Sequence, residues 1–135
     1  MGDLNMNPFE EGLVAAEAFH AVSSWEDAQR ETRRLDGREY PFFYNPMWGL
    51  LGDRSQGPPG TFYRGDGDRM RYFWNLFDQA LLRPALLKVC TLESCLILTG
   101  DGEEGFLTDR NRPDANRFSD HLPILVRLTK EVEDV

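Results

Sequence analysis

Three short stretches of the chain place carboxylates beside groups that work with them. Near the start, GDLN contains Asp3 and, two residues on, Asn5. In the second half, RYFWNLFDQALL sets Asp78 among apolar and aromatic neighbours. Near the end, FSDHLPILVRL opens with Asp120 and His121 side by side, and an apolar, β-branched run follows. Carboxylates can activate water or bind a cation, an imidazole can move a proton or donate to an anion, and an amide can donate to a developing oxyanion.

Asp78 needs a partner. If its segment is a regular strand, Asp78 shares a face with Trp74, Leu76 and Ala80. Even a neutral polar group left unpaired in such a place costs about 2–7 kcal/mol. A cation, a set of donors or a metal must answer it. The chain has two histidines. His20 falls in a stretch expected to be helical and reads as an ordinary surface or boundary residue. His121 is the natural partner, because a carboxylate beside an imidazole fixes its tautomer. A structural pair with an arginine would satisfy Asp78 equally well.

The elements that must position these residues read as helices first and strands afterwards. Residues 8–22 read as a helix, with Asn7 as cap, Pro8 at its first position, Glu10 and Glu11 at its positive end, and Leu13, Ala16, Ala18 and Phe19 on its apolar face. A second helix is expected after Ser23 or Ser24, with Asp27 at its third position and Gly37 at its end. The middle, with YNPMW and GPPGTFY, is rich in proline, glycine and aromatic residues. It reads as a loop pinned to the body, some of whose rings could instead line a cleft. The glycines of GDGDR are expected to turn TFYR back on the Asp78 strand as a hairpin. LLKVCTLESCLILTG holds one or two strands, GDGEEGFLTDRNRPDANR a polar loop, and HLPILVRLT the last strand. KEVEDV reads as a frayed acidic tail. This order favours the α+β class, with helices on one face of a mixed or antiparallel sheet.

The 135 residues suit one domain. A net charge of −8 argues against binding nucleic acid through a broad basic surface, and mildly against long duplex DNA. Cys90 and Cys95, five residues apart on a strand, are expected on opposite faces as unbridged packing residues. No apolar run reaches transmembrane length, so the expected location is cytoplasmic, with no membrane partner.

GDLN, FDQALL and SDHLP, in that order, resemble the C-terminal half of the endonuclease/exonuclease/phosphatase superfamily, which has the DNase I-like fold. Its members include pancreatic-type DNases, apurinic-site endonucleases, inositol phosphatases and sphingomyelinases. YNPMW followed by GPPGTFY resembles a bacterial branch of it. The resemblance spans nearly the whole chain and implies a phosphoesterase dependent on Mg²⁺ or Mn²⁺. It implies that Asp3 orients or deprotonates the attacking water and that Asn5 donates to the phosphate. His121 would donate to a phosphate oxygen, held by Asp78, and Asp120 would belong to the metal end of the site. A divalent cation and positioned donors offset the charge that builds as water attacks a phosphoester. Mg²⁺ keeps several waters, so few carboxylates suffice.

The departures from the superfamily pattern are as informative. Its other half carries an early Asn and a metal-binding Glu, and neither has a counterpart here. Glu10, Glu11 and Glu17 lie on the expected first helix and do not fit the motif. Residues 1–135 are therefore expected to form a single partial domain. It would be the C-terminal half of a two-sheet sandwich with flanking helices, lacking the N-terminal half and weakly active alone. An exposed apolar sheet face favours self-association or pairing with the missing half. The substrate class is a phosphoester, with nucleic acid possible. Arg110, Arg112 and Arg117 precede the SDH box and either reach a phosphate or form a solvated loop. The alternatives are a non-catalytic fragment, a half-domain that needs a partner chain, and a binding module built on the aromatic loop.

Overall fold

A computed structural model of the chain describes residues 1–67 and 69–130. The expected acidic tail lies outside them from residue 131 on. The protein is a small mixed α and β chain whose elements are short and alternate, rather than running helices first. In order they are β1 (Gly2–Asp3), α1 (Glu11–Val14), β2 (Ala21–Val22), α2 (Trp25–Ala28), β3 (Thr32–Leu35), β4 (Arg38–Pro41) and β5 (Phe43–Tyr44). A 3-10 turn over Pro46–Leu50 leads to β6 (Phe62–Tyr63), β7 (Trp74–Asn75), β8 (Asp78–Gln79), α3 (Pro84–Leu87), β9 (Cys90–Ile97) and β10 (Ile124–Lys130). Among the described residues the strands form five two-stranded sheets. No helix among them is long and apolar enough to cross a membrane.

Both expected helices are cut to one turn, for different reasons. Over residues 8–22 only Glu11–Val14 is helical. Asn7 does not cap it, because its side chain is spent elsewhere. Asn7 Oδ1 accepts from the Leu76 amide at 2.8 Å, and Nδ2 donates to Asn75 Oδ1 at 2.9 Å. Ala15 is already extended, and Ala21–Val22 pairs in parallel with β5. Of the expected apolar stripe only Leu13 is buried. In the second segment Ser24 caps as expected, accepting from the Asp27 amide at 3.3 Å, but the helix stops at Ala28. The chain then forms the β3–β4 hairpin around Asp36 and Gly37, whose φ values of 47° and 78° both fall in the left-handed region. An Asp-Gly pair suits a two-residue hairpin turn of this kind. Gly37 thus turns a hairpin instead of ending a helix.

TFYR does fold back on the Asp78 segment, as β6 against β7. The segment itself is not one strand: it breaks between Asn75 and Asp78, and residues of both parities (Asn75, Leu76, Gln79, Ala80) are buried. Gly60 is required at the base of this hairpin, where a Cβ would sit 2.5 Å from the Asn75 carbonyl oxygen.

The core is small and unusually polar. Leu13, Met47, Leu76 and Leu122 are fully buried together with Asn45, Thr61 and Gln79. Asn45 Nδ2 donates to Gln79 Oε1 at 2.8 Å, and Gln79 Nε2 donates to the carbonyls of Met6 at 2.6 Å and Leu76 at 2.8 Å. Asn45 Oδ1 accepts from the Met47 amide at 3.0 Å. Buried polar groups satisfied in this way fix one arrangement of the segments they join. Here they tie the start of the chain, the YNPMW segment and β8 together. YNPMW is thus mainly packing.

The last strand begins at Ile124, not at His121, and pairs with β9. Its register shifts after Arg127, where β9 holds the extra residue Glu93. This bulge reverses the parity of β9. Cys90, Leu92 and Cys95 pair with Lys130, Leu128 and Val126, so both cysteines share one face. They are free, and burial pushes the Cys95 thiol up to about 11. No residue of the β9–β10 pair is fully buried, and Leu96 and Leu125 are exposed on its other face.

Candidate active site

The antiparallel pairing of β1 with β8 sets Asp3 directly opposite Asp78. Asp3 also anchors the turn after it. Its Oδ1 accepts from the Asn5 amide at 2.9 Å, and its Oδ2 accepts from Asn5 Nδ2 at 3.4 Å. Asn5 itself has a φ of 51°, in the left-handed region that Asn tolerates. The first motif is therefore a closed local unit with its carboxylate on the strand edge.

His121 reaches the same place from the far end of the chain. Its Nδ1 lies 2.7 Å from Asp78 Oδ2. The side chains of His121 and Asp78 are 24% and 18% exposed, so the pair is shielded yet reachable. Phe62 packs on the imidazole with ring centroids 4.7 Å apart and in turn stacks on Phe77 at 5.4 Å. Nδ1 is engaged with the carboxylate, which assigns it as the protonated nitrogen and leaves Nε2 for another partner. Of the two partners open to Asp78, imidazole or arginine, the structure uses the imidazole.

Thr61 holds the two halves of this pair in register. It is fully buried, its Oγ1 accepts from the Asp78 amide at 3.2 Å, and its carbonyl accepts from the Leu122 amide at 2.8 Å. Nothing in GPPGTFY marks this role in the sequence, since any threonine in a turn-rich segment looks alike. The Tyr63 ring, one of the aromatic residues of the middle segment that could line a cleft, lies under the Arg112 guanidinium at 4.0 Å.

Donor atoms of Asp3, Asp78 and His121 all lie within 4.8 Å of one another. Asp120 does not belong to this group. It is exposed and lines a neighbouring cavity with Arg110 and Arg112. The structure thus brings together Asp3, Asn5, Asp78 and His121 and leaves Asp120 beside them. A spacing of 2.7 Å between Nδ1 and Oδ2 is that of a direct hydrogen bond, so these two atoms are committed to each other. The oxygens left within the cluster are those of Asp3 and Asp78 Oδ1, a donor type that fits a hard divalent cation such as Mg²⁺ or Mn²⁺, and Asp120 stands outside it.

One further expectation changes. His20 is neither helical nor at the surface. It is 3% exposed, has a φ of 49°, and stacks on Phe42 with centroids 4.2 Å apart. Its backbone explains the placement: its carbonyl accepts from the Phe43 amide where β2 meets β5. Of the three arginines before the SDH box, Arg117 pairs with Glu104 at 3.3 Å, whereas Arg110 and Arg112 face the cavity that Asp120 lines.

Comparison with protein-family models, with curated proteins and with solved structures finds no match to the chain.

Proposed function

We propose that Asp3, Asn5, Asp78 and His121 form the site of a metal-dependent phosphoesterase that cleaves its substrate with an activated water. The observation that carries this reading is the pair of contacts meeting at Asp78, with His121 hydrogen-bonded to its side chain and Asp3 opposite it across the strands. Protonated on both nitrogens, an imidazolium held through Nδ1–H by a carboxylate presents Nε2–H as a strong donor to a phosphate oxygen. Asp3 carries a carboxylate suited to accept a proton from water. Asn5, fixed by Asp3, contributes an amide donor on the same edge. Asp3 would hold the cation with waters completing its shell, and Asp120 stands outside the cluster. When bound, the cation supplies charge stabilisation and a more acidic water.

On this reading the fold is the C-terminal half of a DNase I-like two-sheet sandwich, and the half-covered β9–β10 pair is where a second sheet would pack. That face then favours a second copy or a partner chain. Sedimentation velocity is expected to show dimers or larger species at micromolar concentration, and a monomer throughout that range contradicts the half-sandwich. The activity is tested with bis(4-nitrophenyl) phosphate as a minimal substrate. Turnover is expected with Mg²⁺ or Mn²⁺ and is expected to vanish with a chelator. Equal release of 4-nitrophenol with and without the cation removes the metal from the account.

A further inference from the structure

Asp120, which lies outside the cluster of Asp3, Asp78 and His121, belongs to a cavity of about 460 Å³ that Tyr63, Asp109, Arg110 and Arg112 also line. A second cavity of about 500 Å³ shares Tyr63, Arg110 and Arg112. The Arg112 guanidinium lies over the Tyr63 ring, 4.0 Å from its centroid, and Trp74 braces that ring edge-on at 5.4 Å. The loop bearing Arg112 is tied down as well: the Thr108 amide donates to the Arg112 carbonyl at 2.8 Å. Stacking orients a guanidinium without using its N–H donors.

Among the described residues neither Arg110 nor Arg112 forms an ion pair; Arg33, Arg34, Arg54 and Arg83 form none either, and what sets Arg110 and Arg112 apart is that they line one cavity together. Two unpaired guanidinium groups on one cavity, in a chain of net charge −8, are placed to meet an anion from outside. Arg112 covers the face of Tyr63, so that ring is closed to stacking by a ligand there. What remains is the planar edge of the fork, which matches a phosphate in two hydrogen bonds. Asp109 and Asp120 share the wall, and Asp120 precedes His121 in the chain, which sets the cavity next to the proposed site.

We infer that this cavity holds a second phosphate of a small phosphoester whose scissile phosphate sits at His121. This rests on the proposed phosphoesterase reading. It makes Arg112 and Arg110 specificity residues, with Tyr63 positioning Arg112. The acidic surface sets a small ester above a long polyanion as the source of that phosphate.

The test uses the 4-nitrophenyl ester of thymidine 5′-phosphate with and without a 3′-phosphate. The added phosphate is expected to raise kcat/KM by roughly tenfold, the scale of one charge-assisted contact. That ratio is expected to collapse toward one in Arg112→Gln and in Arg110→Gln. An unchanged ratio in both variants overturns the inference, and so does a lower KM for octathymidylate than for the bisphosphorylated ester. A second arm needs no turnover. Inorganic phosphate is titrated into the labelled full chain, and the NMR signals of Tyr63 and the backbone amide of residue 112 are followed. They are expected to move in the wild type and in His121→Ala but not in Arg112→Gln. No movement in the wild type overturns the phosphate site. Movement in a chain that hydrolyses neither ester retains that site and counts against the catalytic reading alone.

Discussion

Replacing His121 by Ala is expected to lower phosphoester turnover by about 10²–10³-fold, the scale of losing one positioned donor to a developing oxyanion. The imidazole is shielded, stacked on Phe62 and held by Asp78 through Nδ1, so the substitution removes a donor fixed in place. The variant should keep its fold. Removing a side chain that is 24% exposed leaves water access to the Asp78 carboxylate, and the backbone link between Thr61 and Leu122 does not depend on the ring. Steady-state kinetics at saturating Mg²⁺, together with a thermal transition for each protein, separate the two effects. Turnover within a factor of about two of the wild type, with the fold intact, removes His121 from the proposed chemistry.

Gln79→Leu is expected to produce the largest loss of stability, although it exchanges a polar side chain for an apolar one in the core. Gln79 is fully buried and satisfies two other buried groups, Asn45 Nδ2 and the Leu76 carbonyl, and a part-buried one, the Met6 carbonyl. A leucine leaves all three unpaired. At about 1–3 kcal/mol for each orphaned group, the loss should be about 3 kcal/mol or more. That is a large share of the 5–15 kcal/mol typical of a small domain. Urea denaturation followed by Trp fluorescence measures it. A midpoint equal to that of the wild type shows that the network does not organise the core. Because Gln79 follows Asp78 on β8 and pairs with Gly2, the same substitution should loosen the Asp3–Asp78 register.

The need of Asp78 for a partner was legible from a carboxylate among apolar neighbours, but its choice of His121 over an arginine was not, because residue types alone leave the two equal. The β6–β7 hairpin and the Ser24 cap were legible from local turn and cap chemistry. The two long helices were not, and the reason differs in each. Around Asn7 the cap signal was real but was outbid by tertiary bonds to Asn75 and Leu76, which lie far along the chain. Around Asp36 and Gly37 the hairpin signal was present and was read as a helix stop. The start of β10 was misplaced because the apolar run begins at Leu122. That residue is buried under the Thr61 link before strand pairing starts at Ile124. The shared face of Cys90 and Cys95 depends on one extra residue in β9, which no alternation pattern reveals. Thr61 acts through contacts with residues distant in sequence, and nothing in its neighbours announces it.

The central claim is that Asp78 acts on the substrate only through His121. A double-mutant cycle in turnover measures this directly, using Asp78→Asn, His121→Ala and the double variant. If the two residues work as one unit, Asp78→Asn slows the wild type but adds nothing in the His121→Ala background. Two losses that multiply in the double variant would show two independent residues and contradict the account.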